Sequence, residues 1–170
     1  MVEMLTDVAT MARLGIPTRG RRIVLIDIEN IVGGAVTTLD QAQWAKQLFE
    51  NRGVVNDSDQ LIFGTCRLGA VNIGATWQSS RIVMQDGDDG ADLALLNILE
   101  TEDLASRYDE VLIISGDHIF TDAIAALRAD GVHVTVAGWA DSLSAHLRLV
   151  ANTTYFLDDL LSQTDYTEAA

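Results

Sequence analysis

Residues 22–28 (RIVLIDI) form an almost unbroken apolar run rich in Ile and Val. A strand buried on both faces reads this way. Gly33 and Gly34 mark a loop after it. Residues 39–52 then carry Leu39, Ala42, Ala45, Leu48 and Phe49 at helical spacing, with Gly53 as a stop. The alternation recurs down the chain. Residues 60–65 (QLIFGT), 81–85 (RIVMQ), 110–114 (EVLII) and 132–137 (VHVTVA) read as strands, and a short last strand is expected near 154–156. Helices are expected over 91–105, 122–129 and 142–150. Residues 68–77 stay open between helix and loop, because Gly69 and Gly74 weaken a helix. Strands that alternate with helices imply βαβ crossovers. The expected fold is therefore α/β, with a central, mainly parallel sheet covered on both faces.

The first 20 residues read as a short amphipathic helix and a linker around Gly15 and Pro17. This arm is expected to pack on its own domain or on a partner, a second copy of the chain included. Residues 21–161 are expected to form the domain, and 162–170 an acidic tail.

Length and composition narrow the class. The chain has 170 residues, enough for one domain of ordinary size. It is 48% hydrophobic with a mean hydropathy of +0.17, which excludes disorder as its general state. A single cysteine, Cys66, excludes an internal disulfide framework and leans toward a reducing cytoplasm. No basic start followed by a long apolar run marks a leader. Residues 23–28 are interrupted by Asp27, so no membrane span is expected. The formal net charge of −14 disfavours broad binding to nucleic acid, which relies on Lys and Arg. It does not exclude a nuclease, because bound divalent cations reverse the sign of an acidic pocket.

Candidate chemistry lies at the strand ends. Open parallel sheets bind ligands beyond the carboxyl ends of their strands, where strand order reverses. Asp27 ends the first strand, followed by Glu29 and Asn30. Asp86, Asp88, Asp89 and Asp92 follow the third strand. Ser115, Gly116 and Asp117 follow the fourth, with Asp122 in the first turn of the next helix. Clustered carboxylates repel unless a hard cation sits between them, and Mg²⁺ or Mn²⁺ suits oxygen ligands. Asp27 carries the strongest signal, since an ionised carboxylate closing a buried strand is costly without a partner.

Plainer roles compete at the other positions. Asp92, Asp88 and Asp89 can serve a helix dipole, and Asp117 can cap a turn. Asp122 is balanced between ligand and first-turn charge. Glu29 and Asp86 read as surface loop charges, and Asn30 as either an amide holding Asp27 or a loop residue. Cys66 reads as a buried strand-end residue and His133 as structural. His118, His133 and His146 lack zinc-site spacing. Trp44, Trp77 and Trp139 are too scattered to define a stacking platform. No Walker-type or dinucleotide fingerprint follows the first strand.

Three motifs in order resemble the NYN domains, a branch of the PIN-like nuclease superfamily. VLIDIEN matches a strand ending in Asp with Asn three residues on, giving Asp27 and Asn30. DGADLALLNIL matches Gly-x-Asp opening a helix, giving Asp92. VLIISGDHIF matches a strand followed by Ser-Gly-Asp and Phe, giving Asp117 and Phe120. The tail GVHVTVAG followed by DSLSAHL fits as well. The resemblance spans residues 22–158. It implies a PIN-like three-layer α/β/α sandwich and a Mg²⁺- or Mn²⁺-dependent ribonuclease. Asp27, Asp92 and Asp117 would be the catalytic metal ligands and Asp122 an assisting one. Asn30 and Ser115 would orient ligands or the scissile phosphate of single-stranded RNA. The sequence departs from the family at Ile119, where a second Asp is usual, and has Asp89 where Lys is common. A PIN-like module without turnover is the alternative. A haloacid-dehalogenase-type phosphatase ranks low, because Asp27-Ile28-Glu29 lacks the Asp-x-Asp motif.

Overall fold

The computed structural model describes residues 20–162. The expected N-terminal helix and linker, and the acidic tail from 163 onward, lie outside the described residues. Six strands form one sheet: β1 (Arg22–Asp27), β2 (Gln60–Thr65), β3 (Arg81–Met84), β4 (Glu110–Ile114), β5 (His133–Gly138) and β6 (Thr153–Phe156). Their order is β3-β2-β1-β4-β5-β6, and every pairing is parallel.

Helices cover both faces. On one face lie α1 (Ile28–Val32), α2 (Leu39–Glu50), α3 (Arg67–Thr76) and α8 (Leu157–Ser162), packed over Val24, Ile26, Leu112 and Ile114. On the other lie α4 (Gly90–Thr101), α5 (Leu104–Arg107), α6 (Thr121–Ala129) and α7 (Ala145–Val150), packed over Ile23, Leu25, Val111 and Ile113. The even and odd residues of β1 and β4 thus feed two separate cores, which is why these strands are apolar throughout. The result is the expected three-layer α/β/α sandwich. Among the described residues no helix is long and apolar enough to cross a membrane.

The structure differs from the sequence reading in a few places. Residues 28–32 are helical rather than loop. Asp27 caps this short helix by accepting the Asn30 N–H at 3.2 Å. Residues 67–76 form a helix despite two glycines. Gly69 sits so close to the Thr65 hydroxyl that a Cβ would overlap it, so close packing on β2 requires the residue that weakens helix propensity. The helix expected over 91–105 is two helices, α4 and α5.

Topology makes one crevice. Neighbouring strands on either side of the β1–β4 boundary connect in opposite directions across the sheet, so β1 and β4 flank the switch point. Parity then aims the side chains. Asp27 continues the odd series of Ile23 and Leu25, and Ser115 continues Val111 and Ile113, toward the face covered by α4 and α6.

Candidate metal centre at the switch point

Asp27 is 4% exposed, and hydrogen bonds fix both its oxygens. Oδ1 accepts the Asn30 N–H, and Oδ2 accepts the Ser115 hydroxyl at 2.9 Å. Ser115 is fully buried, and its oxygen also accepts the Asp117 N–H at 3.2 Å. Asn30 closes the bridge from the other side: its Oδ1 accepts the Gly116 N–H at 3.0 Å. The backbone of Asn30 therefore holds Asp27, while its side chain ties α1 to the end of β4. With Ser115 buried, its hydroxyl positions Asp27.

Asp92 arrives from the first turn of α4. Its placement depends on Gly64, the register partner of Asp27 on β2. A Cβ at Gly64 would lie 2.7 Å from the Ala91 carbonyl oxygen and 2.7 Å from Leu95 Cγ. The missing side chain lets the start of α4 settle onto the sheet beside Asp27. Gly64→Ala is expected to push α4 outward, costing about 1–3 kcal/mol and weakening any divalent-cation binding that needs Asp92. Urea unfolding and Mn²⁺ titration check the two effects; unchanged stability would contradict the tight contact.

The two carboxyls hydrogen-bond each other, and both are raised. Burial is the main cause that lifts Asp92, to about 8, aided by its hydrogen bond with Asp27 and the charges of Asp27, Asp117 and Asp89. Burial also raises Asp27, and hydrogen bonds from Asp92, Asn30 and Ser115 partly offset this. The proton thus resides on Asp92. Asp92 Oδ1 is buried and receives no hydrogen bond, and among the described residues no ion pair involves either carboxyl. A buried acceptor and two carboxyls without a cationic neighbour are the features a hard cation would satisfy.

The other candidates fall into three groups. Asp117 lies close enough to act on Asp92 by charge, but its Oδ1 accepts the Ile119 N–H at 2.9 Å and caps the 3₁₀ turn His118–Phe120. Asp122 lines a groove of about 490 Å³ between α4, α5 and α6, with Thr101 and Asp103, and is not joined to the Asp27–Asp92 pair. Ile119 is half-buried and packs on the core beneath α4 and α6. Among the described residues, no group of three His, Cys, Asp or Glu side chains stands arranged around a common metal position. The pair fits a cation; a third protein carboxylate would have to turn toward it.

The packing revises several readings of single residues. Glu29 is no surface loop charge: it accepts the Thr65 hydroxyl at 3.1 Å and the Cys66 N–H at 2.5 Å, tying α1 to the end of β2. No periodicity announces this, because the partners lie 36 and 37 positions away. Trp44 and Trp139, apparently scattered, stack with ring centroids 6.3 Å apart and planes at 24°. Trp77 is core, packed on Phe63 and Phe49. Cys66 is only partly buried, at the N-cap of α3. His133 is structural as expected, within hydrogen-bond reach of Thr153 Oγ1 at 3.2 Å.

The model of the NYN domain matches residues 21–160, nearly all of the described chain. The protein belongs to the NYN domain family. The match spans the switch-point residues from Asp27 to Asp117. Among solved structures, the crystal structure of a protein of unknown function, VPA0982 from Vibrio parahaemolyticus RIMD 2210633, is similar. It superposes with a TM-score of 0.52 over 82% of this chain and 94% of that chain, at 16% identity, which speaks for the fold alone. No curated protein matches the sequence.

A pH effect follows from the unpaired acids. Glu110, 5% exposed at the opposite edge of the sheet, is pushed up to about 7 by burial, with Arg22 pulling it back in part. Acids whose folded pKa lies above the unfolded value bind more protons when folded. Their stabilisation is full below the unfolded pKa and is lost as pH rises through the folded pKa. The metal-free protein is therefore expected to lose stability from pH 6.5 to 8.5, where the unfolded chain has no corresponding titration. His133, lowered by burial, opposes the trend only at the low end of this range, where the unfolded imidazole still loses its proton. Thermal melts in EDTA across that range check it, and Asp92→Asn should flatten the slope.

Proposed function

We propose that this NYN domain is a Mg²⁺- or Mn²⁺-dependent ribonuclease that hydrolyses phosphodiester bonds of single-stranded RNA. The observation that carries the reading is the Asp27–Asp92 pair, a buried and a half-buried carboxyl that hydrogen-bond each other with no cationic side chain beside them. Ordinary folding has no use for such a pair, since two close carboxyls without a partner cost stability. Family membership supports the nuclease class. Mg²⁺ commonly takes one or two carboxylates, several waters and substrate phosphate oxygens, so a two-carboxylate site is adequate in kind.

When bound, the cation supplies Lewis acidity toward a phosphate oxygen and acidifies water. The chain's own residues prepare for it. Ser115 and the Asn30 N–H hold Asp27 in one orientation. Asp92 must release its proton to serve as a ligand, which makes activity rise with pH toward and beyond about 8. Asn30 keeps the β1 and β4 ends in register across the crevice. Asp117 stands at the mouth, able to join after giving up the Ile119 N–H. A cytoplasmic setting, where RNA and Mg²⁺ are both present, suits the single thiol.

Ile119 and the engaged Asp117 favour a second reading, a PIN-like binding module without turnover. Incubation of labelled single-stranded RNA with Mn²⁺, Mg²⁺ or EDTA separates them. Cleavage that requires the cation and vanishes in Asp27→Asn supports the nuclease. RNA retained intact at all cation concentrations supports the module.

Ile119→Asp tests the departure directly. The side chain packs against apolar groups, so a carboxylate there is expected to destabilise the metal-free protein by about 1–3 kcal/mol. Saturating Mn²⁺ should restore more stability to this variant than to the wild type if the new carboxylate reaches the pair. Melts with and without Mn²⁺ measure the difference.

A further inference from the structure

We propose that Trp44 and Trp139 form a stacking platform for a base of the single-stranded RNA whose phosphate enters the crevice. The inference rests on the ribonuclease reading and specifies how that substrate is held. Trp139 directly follows Gly138, the last residue of β5, at the carboxyl edge of the sheet. Its Nε1 donates to the Ile31 carbonyl at 3.0 Å, so its one polar group is turned inward and its orientation is set. Trp44 comes from α2 and stacks on it, yet remains 39% exposed. The remaining tryptophan, Trp77, is 5% exposed, which is the ordinary fate of so large a ring.

The platform lies on the face of the sheet covered by α1 and α2, opposite the face toward which Asp27 points, and α1 joins the two at the carboxyl edge. Asp27 caps the start of that helix, Asn30 ties it to Gly116, and Ile31 holds Trp139. Ile31 lies four residues beyond Asp27 in the sequence, about 6 Å along a helix axis. Phosphates in a stacked strand step by about 3.4 Å, so a chain anchored at Asp27 reaches the platform within a few nucleotides. Stacking also suits a protein with a net charge of −14. Such a chain has little cationic surface to offer phosphates, whereas a base presents an uncharged π face to an aromatic ring. Cation bridging at the carboxyls and stacking at the tryptophans would divide the task of holding a polyanion.

The test titrates oligoadenylate into the intact protein with Ca²⁺, following intrinsic tryptophan fluorescence, beside Mn²⁺-dependent cleavage. The wild type is expected to be quenched on binding. Trp44→Ala should bind roughly 5- to 100-fold more weakly, the range expected for one stacked base, while Trp44→Phe keeps most of the affinity. An oligonucleotide of abasic riboses should bind the wild type as weakly as the intact one binds Trp44→Ala. In cleavage, Trp44→Ala should raise KM and leave kcat unchanged. Quenching that discriminates the abasic strand, without cleavage, upholds the platform and removes the ribonuclease reading. Cleavage with unchanged KM and affinity in Trp44→Ala overturns the platform alone. Loss of self-association in Trp44→Ala with RNA affinity intact makes the pair a protein interface and also overturns it. Absence of any RNA binding overturns both.

Discussion

Asp27→Asn is expected to abolish cation-dependent RNA cleavage while leaving the metal-free fold as stable as before, or more so. On the proposed function, the change removes a cation ligand outright. The loss of turnover should exceed the roughly 10- to 100-fold typical of losing a group that merely supports a ligand. The fold should not suffer, because Asn retains what Asp27 does structurally. An Asn oxygen can still accept from the Asn30 N–H or the Ser115 hydroxyl, and Asn is among the best helix N-caps. Its amide can also donate to Asp92, whose Oδ1 otherwise has no partner. The clearest readout is the melt. A cation at a hundred times its dissociation constant stabilises the wild type by about 2.7 kcal/mol, worth roughly 5–10 °C for a chain of this size. In Asp27→Asn that shift should disappear. A variant that melts well below the wild type in EDTA would instead make Asp27 a structural carboxylate, and the site reading would fail.

Asp59→Ala is expected to produce the opposite pattern, a severe loss of stability with the site chemistry intact. Arg22 opens β1, at the edge of the sheet away from the crevice, and its side chain is 8% exposed. Its guanidinium donates to Asp59 through Nε at 2.9 Å and Nη2 at 2.5 Å, and to the Val54 carbonyl at 3.2 Å. Asp59, 3% exposed, also accepts the Asn56 N–H at 2.7 Å. Truncating the acid strands a buried cation, which costs about 3–5 kcal/mol. Arg22→Met combined with Asp59→Leu should recover most of this, because an apolar pair needs no charge compensation. Urea unfolding of the three proteins checks the order of stability. Mn²⁺ affinity, measured at a temperature where Asp59→Ala remains folded, should match the wild type.

The contrast between the two predictions is the core of the functional argument. Both sheet edges bury acids. At the amino edge Asp59 is matched by a bidentate arginine, and that is how a folded chain keeps a buried charge. At the carboxyl edge Asp27 and Asp92 face each other with no cationic side chain, and hydrogen bonds from Asn30, Ser115 and Asp92 offset the burial of Asp27 only in part. The same chain therefore matches Asp59 with an arginine at one end and leaves two carboxyls facing each other at the other. A cation of the right size would bridge them.

Much of this was legible in the chain itself. The β1 and β4 runs are apolar at every position because each parity feeds a different core, and no amphipathic alternation competes with the strand reading. Asp27 was legible for the same reason: a carboxylate at the end of such a run has no cheap structural excuse. The strand-end positions of Asp92 and Asp117 were legible as well, because parallel strands share one carboxyl edge. Partners distant in sequence were not legible. The approach of α4 to β2 depends on a missing Cβ at Gly64, and a sequence shows a glycine without showing what leans on it. Glu29 reads as a loop charge until the end of β2 is brought to it, and Trp44 and Trp139 read as unrelated until α2 and β5 are neighbours. Asp122 lines a groove with residues of α4 and α5, a neighbourhood that no local pattern announces. Periodicity and residue chemistry determine elements and candidate residues because they act locally. Distances between side chains from different elements arise only when the layers pack, and tertiary structure alone decided which carboxyls meet.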